Sequence, residues 1–162
     1  MLSEDGSASE QVNIIVSGTN DAPTVVSSTS STGKVFFTEN GAPVLARGGT
    51  ITLADVDSAN LQGATVRVVD WTTPNPAVDG DLLTYDSALA TTSNITGSYV
   101  AATGTLTFTG SATQAQYQAL LDSVKYSNSR DDLPGGVRNV HYAVTDASGD
   151  TSAEAMTRVN VG

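Results

Sequence analysis

Residues Leu53 to Val68 read LADVDSANLQGATVRV. Ile51 and Leu53 on one side, and Ala64, Val66 and Val68 on the other, alternate with polar or small residues, the period of strands that bury one face. Between the two runs, Asp55 and Asp57 stand at i and i+2 in a polar stretch that neither strand absorbs. The local unit is strand, acidic turn, strand, so any fold must put that turn at a sheet end. Short Asp side chains on an irregular turn can converge on one point. Hard cations such as calcium, which take about 6–8 oxygen ligands at roughly 2.3–2.6 Å, need that geometry.

Composition supports a β fold. Thr, Ser, Gly, Val and Ala predominate, while the helix formers Leu, Lys and Glu are scarce. A chain of 162 residues is one domain or slightly more and buries a core without covalent staples. It has no cysteine, which removes thiol catalysis, Cys-ligated zinc and disulfides. Seven Lys and Arg against 17 Asp and Glu leave a net charge of -10, which repels nucleic acid and anionic membrane surfaces. Cations are the natural partners of the excess acids; solubility is the competing explanation. No window reaches the about 18 apolar residues of a membrane span. Met1 to Asn20 has neither the basic start nor the apolar centre of a signal peptide.

Along the chain, Glu4 to Gly18 predicts a strand with Val12, Ile14 and Val16 on one face. Thr19-Asn20-Asp21-Ala22-Pro23 ends it, because Pro23 cannot donate to a ladder and Asn and Asp favour a turn. Asp146 to Gly162 repeats the pattern of an acidic Gly/Ser turn and a Val-rich strand ending at glycine. The chain therefore divides into residues 1–19, the closing strand of a preceding repeat, and residues 20–162, one complete repeat. Without its own repeat, Glu4–Gly18 would be disordered or would pair with an exposed edge. Within the repeat, an interrupted edge strand spans Thr24 to Phe37, and Val44 to Ala54 leads into the acidic turn. The Pro-rich Trp71–Gly80 is a surface loop. Weaker strands follow at Leu82–Tyr85 and Gly97–Val100, and better ones at Gly104–Thr109 and Val137–Thr145. Tyr117, Leu120, Leu121 and Val124 switch to helical spacing, and Ser111 or Thr113 can open a capping box, so Ser111–Tyr126 predicts one short bridging helix.

About seven short strands predict an immunoglobulin-like Greek-key β-sandwich. Alternate strand directions then bring the loops after Ala54 and after Thr145 to the pole where the chain arrives at Asn20-Asp21. Asp21, Asp55, Asp57 and Asp146, with the Asn20 side-chain carbonyl, would surround one small volume. Carboxylates that close stay ionised together only if a cation neutralises them.

Thr38-Glu39-Asn40, Asp55-Val56-Asp57-Ser58, Thr145-Asp146 and Thr19-Asn20-Asp21-Ala22-Pro23 resemble motifs of the cadherin-like repeats of large bacterial surface adhesins, the RTX and VCBS-type proteins. The resemblance implies tandem sandwiches stiffened by junctional calcium in a secreted, cell-surface rod concerned with adhesion and biofilm. It assigns Asn20, Asp21, Asp55, Asp57 and Asp146 to the arriving junction and Glu39 to the departing one. It also implies neighbouring repeats of the same polypeptide, and a host or biofilm surface ligand, as partners, with no membrane insertion. The Asp-Arg-Glu motif of animal cadherins has no counterpart here.

Two rival functions are open to the sequence. Catalysis has little support, because His141, the single histidine, stands mid-strand with no acidic neighbour in sequence. A glycan- or peptide-binding module could use Trp71, with Tyr85 and Tyr99 beside it, although a lone Trp in a sandwich more often covers one end of the core. Asp79-Gly80-Asp81 and Asp131-Asp132 read as plain turns before they read as further ion sites.

Overall fold

The computed structural model describes residues 9–15, 17–28, 35–71 and 79–162. Its strands are β1 (Thr24–Ser27), β2 (Val35–Phe37), β3 (Val44–Leu45), β4 (Ile51–Ala54), β5 (Asn60–Asp70), β6 (Asp81–Thr84), β7 (Thr96–Val100), β8 (Thr105–Thr113), β9 (Lys125–Asn128), β10 (Gly136–Asp146) and β11 (Ala155–Val161). Helix α1 (Ser87–Thr92) precedes β7, and α2 (Gln114–Asp122) follows β8. The fold is the expected all-β sandwich. One layer is a six-stranded sheet in the order β2-β11-β10-β5-β8-β7; the pair β1-β4 and the trio β3-β9-β6 form the other. Every pairing is antiparallel except β2 with β11.

The strand and helix counts exceed the sequence reading's seven and one, for local reasons. The predicted helix stops at Ser123, and Lys125–Asn128 leaves it as β9 between β3 and β6. Apolar Val124 and Tyr126 extend the helical pattern in sequence, yet both are buried beyond the helix. Helix α1 carries only one buried residue, Ala90, and is set by Asp86, whose carboxylate accepts the N–H groups of Ala88 and Leu89.

The core is a single apolar cluster fed by both layers. Val66 and Val68 of β5, Leu106 and Phe108 of β8, and Val140, Tyr142 and Val144 of β10 are all fully buried. Helix α2 adds Tyr117, Leu120 and Leu121, the residues whose spacing predicted it. Of the two possible caps, Thr113 makes the box: its side chain accepts from Gln116 N–H while Gln116 accepts from Thr113 N–H. Gly110 bends β8 at φ 140°, and a Cβ there would collide with the Asn94 carbonyl. No helix among the described residues is long and apolar enough to cross a membrane.

The strand expected over Glu4–Gly18 is not formed among its described residues, 9–15 and 17–18; positions 4–8 and Val16 lie outside them. Val12, Ile14 and Ile15 are exposed, as a strand former without an adjacent edge would be.

Candidate functional site

β5 starts, and β8 and β10 end, at the pole where residues 20–23 lead into β1. The turn after β4 and the hairpin between β10 and β11 therefore flank the linker. Asn20 Nδ2 donates to Asp146 Oδ2 at 2.7 Å and to Asp150 Oδ2 at 2.8 Å. The neighbouring Asp21 N–H donates to Asp57 Oδ2 at 2.5 Å. Asp55 closes its own turn, its Oδ1 accepting the N–H groups of Asp57 at 3.0 Å and Ser58 at 2.9 Å. The turn is fastened to α2 by Gln114, whose Nε2 donates to the carbonyls of Asp55 at 2.9 Å and Ser58 at 2.6 Å.

Asp146 is fully buried. The Asn20 amide, aided by the main-chain N–H groups of Asp150, Ser148 and Gly149, holds its carboxyl below the ordinary 3.8 against the opposing effect of desolvation. Asp150, missed in the sequence reading, completes the group. Its four-residue separation from Asp146 across a Gly-containing turn was the available signal. Among the described residues, no Lys or Arg forms an ion pair with Asp21, Asp55, Asp57, Asp146 or Asp150.

Thus the linker pole gathers Asn20, Asp21, Asp55, Asp57 and Asp146. Glu39 lies past the end of β2, whose Phe37 pairs with Val161, at the opposite pole. One detail is reversed. The Asn20 carbonyl, expected to face the acids, accepts from Ser148 Oγ at 3.1 Å, and the amide nitrogen faces them instead. The NH₂ end is the donor that the two carboxylates can accept from. Among the described residues no three acidic or histidine side chains form a ready-made metal cluster; the acids are linked through Asn20 and the linker backbone.

The donor set is all oxygen and suits a hard cation rather than zinc. Asp55 Oδ2 is shielded from solvent and accepts no hydrogen bond. Burying an acceptor in this way costs about 1–3 kcal/mol. The carboxylates that would meet a cation at the pole are Asp146 and Asp150, which share the Asn20 amide, and Asp57, which accepts from the Asp21 N–H.

The other sequence candidates fall elsewhere. Asp81 is buried at the opposite pole, where Arg138 Nε meets its Oδ2 at 3.0 Å; Asp132 pairs with Arg130 on the surface. Trp71 does not close the core: it is 54% exposed, with the Arg158 guanidinium 4.4 Å from its ring centroid. Tyr85 stacks edge-on against Phe108, and Tyr99 donates to the Asp81 carbonyl, so both serve the interior. His141 does have an acidic partner: its Nδ1 lies 3.0 Å from Glu154 Oε2, which the β10–β11 pairing brings beside it. No hydroxyl is hydrogen-bonded to that histidine among the described residues.

The class defined by fold and site is an all-β sandwich whose acid-rich pole, with no ion-paired base among the described residues, grips its own linker. No protein-family model and no curated protein matches the chain.

Proposed function

We propose that residues 20–162 are a calcium-stabilised spacer repeat of a bacterial cell-surface adhesin, with the ion at the linker pole stiffening the junction to the preceding repeat. The observation that carries this reading is the attachment of the linker itself. Asn20 and Asp21 bind turns that follow β4 and β10, so an ion held there would fix the incoming chain as well as the loops. Glu39 and the end of β11 lie toward the opposite pole, where on this reading the next junction would fall. Residues 1–19 are read as the last strand of the previous copy, and the neighbouring repeats as the main partners. The chemistry is binding and mechanics, not catalysis. The protein would be secreted, in company with a host or biofilm surface ligand.

Calcium that binds the folded state and hardly the unfolded chain stabilises by about 1.4 kcal/mol per site at ten times Kd. The test is thermal melting in calcium and in EDTA, comparing the protein with Asp55→Asn. This substitution keeps Oδ1 for the turn and replaces the donorless Oδ2. The expected outcome is a calcium-dependent rise in Tm that Asp55→Asn abolishes while its Tm in EDTA is unchanged. A wild-type Tm indifferent to calcium would sink the proposal.

A second reading, a glycan- or peptide-binding module, draws on the half-exposed Trp71. Binding to a glycan array that disappears in Trp71→Ala at unchanged Tm would favour it.

A further inference from the structure

Sheet edges expose unpaired N–H and C=O groups, and soluble proteins blunt them with charge, proline, shortness or cover. Most edges here are blunted. β2 is three residues long, and β3 only two with Arg47 just beyond. β6 carries the inward-pointing charge of Asp81. The free side of β4 is occupied by Gln118, whose Oε1 accepts from Leu53 N–H and whose Nε2 donates to the Ile51 carbonyl.

β7 is the longest edge strand among the described residues and is not blunted in these ways. It ends the six-stranded sheet, runs five residues (Thr96–Val100) and has neither charge nor proline; Val100 is 50% exposed. One edge group is used, the Gly97 carbonyl, which accepts from Tyr85 at a long 3.3 Å. The surroundings match: from Ser87 through Leu121, covering α1, β7, β8 and nearly all of α2, the sequence has no charged residue at all. In a chain of net charge -10, this run brings no like charge of its own to a second copy, with Asp86 at its border capping α1.

We propose that the outer edge of β7 is a self-association surface, pairing antiparallel with β7 of a second copy about a two-fold axis. Both sheets then continue across the contact, and the same patch serves both partners. In a rod of repeats the contact joins neighbouring rods side by side. It does not depend on calcium at the linker pole.

Pairing centred on Ser98 sets that exposed residue against the second copy's Ser98, so Ser98→Lys places like charges directly opposite each other. Sedimentation equilibrium from micromolar to millimolar protein, in calcium and in EDTA, is the test. The expected result is a reversible dimer in both media, strengthened by salt because screening removes the repulsion between the acidic remainders. Ser98→Lys should be monomeric with an unchanged Tm, while Thr65→Lys on the central strand β5 should still dimerise. If Ser98→Lys does not fold, hydrogen exchange of the wild type decides, since the amides of β7 should gain protection as concentration rises. A wild type monomeric throughout, protection gained elsewhere, or dimerisation kept in Ser98→Lys would overturn the proposal. Because both media are measured, its failure is distinct from failure of the calcium reading.

Discussion

The two poles of the sandwich both bury carboxylates and surround them with different partners. At the pole opposite the linker, Asp81 meets Arg138, and its Oδ1 accepts from Tyr126 at 2.5 Å and Asn128 at 2.8 Å. Asp70 lies 3.5 Å from the same guanidinium. At the linker pole the acids have amides and main-chain N–H groups but no basic side chain among the described residues. The first arrangement sets a guanidinium against the buried carboxylates from within the domain, with Arg138 Nη2 left without a hydrogen-bond partner among the described residues. The second satisfies geometry and leaves charge uncompensated, which is the condition an external cation would meet. The contrast predicts that the far pole governs intrinsic stability and the linker pole governs the response to ions.

The largest effect should come from cutting the self-contained pole. Arg138 is 1% exposed, and removing one member of a buried pair costs about 3–5 kcal/mol because the other charge is stranded. Arg138→Met should lose this much in urea melts, equally in calcium and in EDTA. A calcium-dependent loss would break the division between the poles. Tyr126→Phe is a milder cut at the same pole. It removes one donor to Asp81 and should cost about 1–3 kcal/mol, again without regard to calcium.

Alkaline pH tests the buried tyrosines, Tyr126 and Tyr99 of the Asp81 pole among them. Burial pushes the Tyr99 and Tyr117 hydroxyls up to about 12, and those of Tyr126 and Tyr142 higher still. Each folded value lies above the ordinary 10.0. The stabilisation is therefore whole below pH 10 and is lost as pH rises through the folded values. Unfolding by base, followed through tyrosinate absorbance, should begin above pH about 10 with calcium present or absent.

The contrast was only half legible in sequence. Alternation revealed β5, β8 and β10, since a one-residue slip would expose Val66, Leu106 or Val140. Helical spacing revealed α2, and the Asp55, Asp57 and Asp146 turns followed once the strands were ordered. Asp81 resembled any turn aspartate; its role depends on Arg138, which belongs to the inward set of Val140, Tyr142 and Val144 by parity. Extending the alternation two residues back would have flagged a buried cation that needs an acid. Gln114 and Gln118 were beyond reach, because a helix pattern says nothing about which edge its polar side chains meet. Glu154 beside His141 was hidden similarly, being a consequence of the β10–β11 register.

At the linker pole, Gln114→Ala frees the Asp55 turn from α2. Two donations to main-chain carbonyls are lost, about 1 kcal/mol in melts without metal. If a preorganised turn favours the ion, the calcium increment in Tm should shrink as well. The smallest effect concerns acid. Asp146 has a folded value below its ordinary 3.8, with the Asn20 amide as the chief cause. Its ionised form therefore adds stability above the ordinary value, and that share fades as pH falls through the lower folded one. Asp146→Asn should flatten this part of the acid limb. An ion competing with protons for the pole would carry the wild-type limb to lower pH in calcium than in EDTA, leaving Asp146→Asn with little difference between the media. An acid limb in the wild type that ignores calcium, together with an Arg138→Met defect that depends on it, would reverse the roles of the two poles.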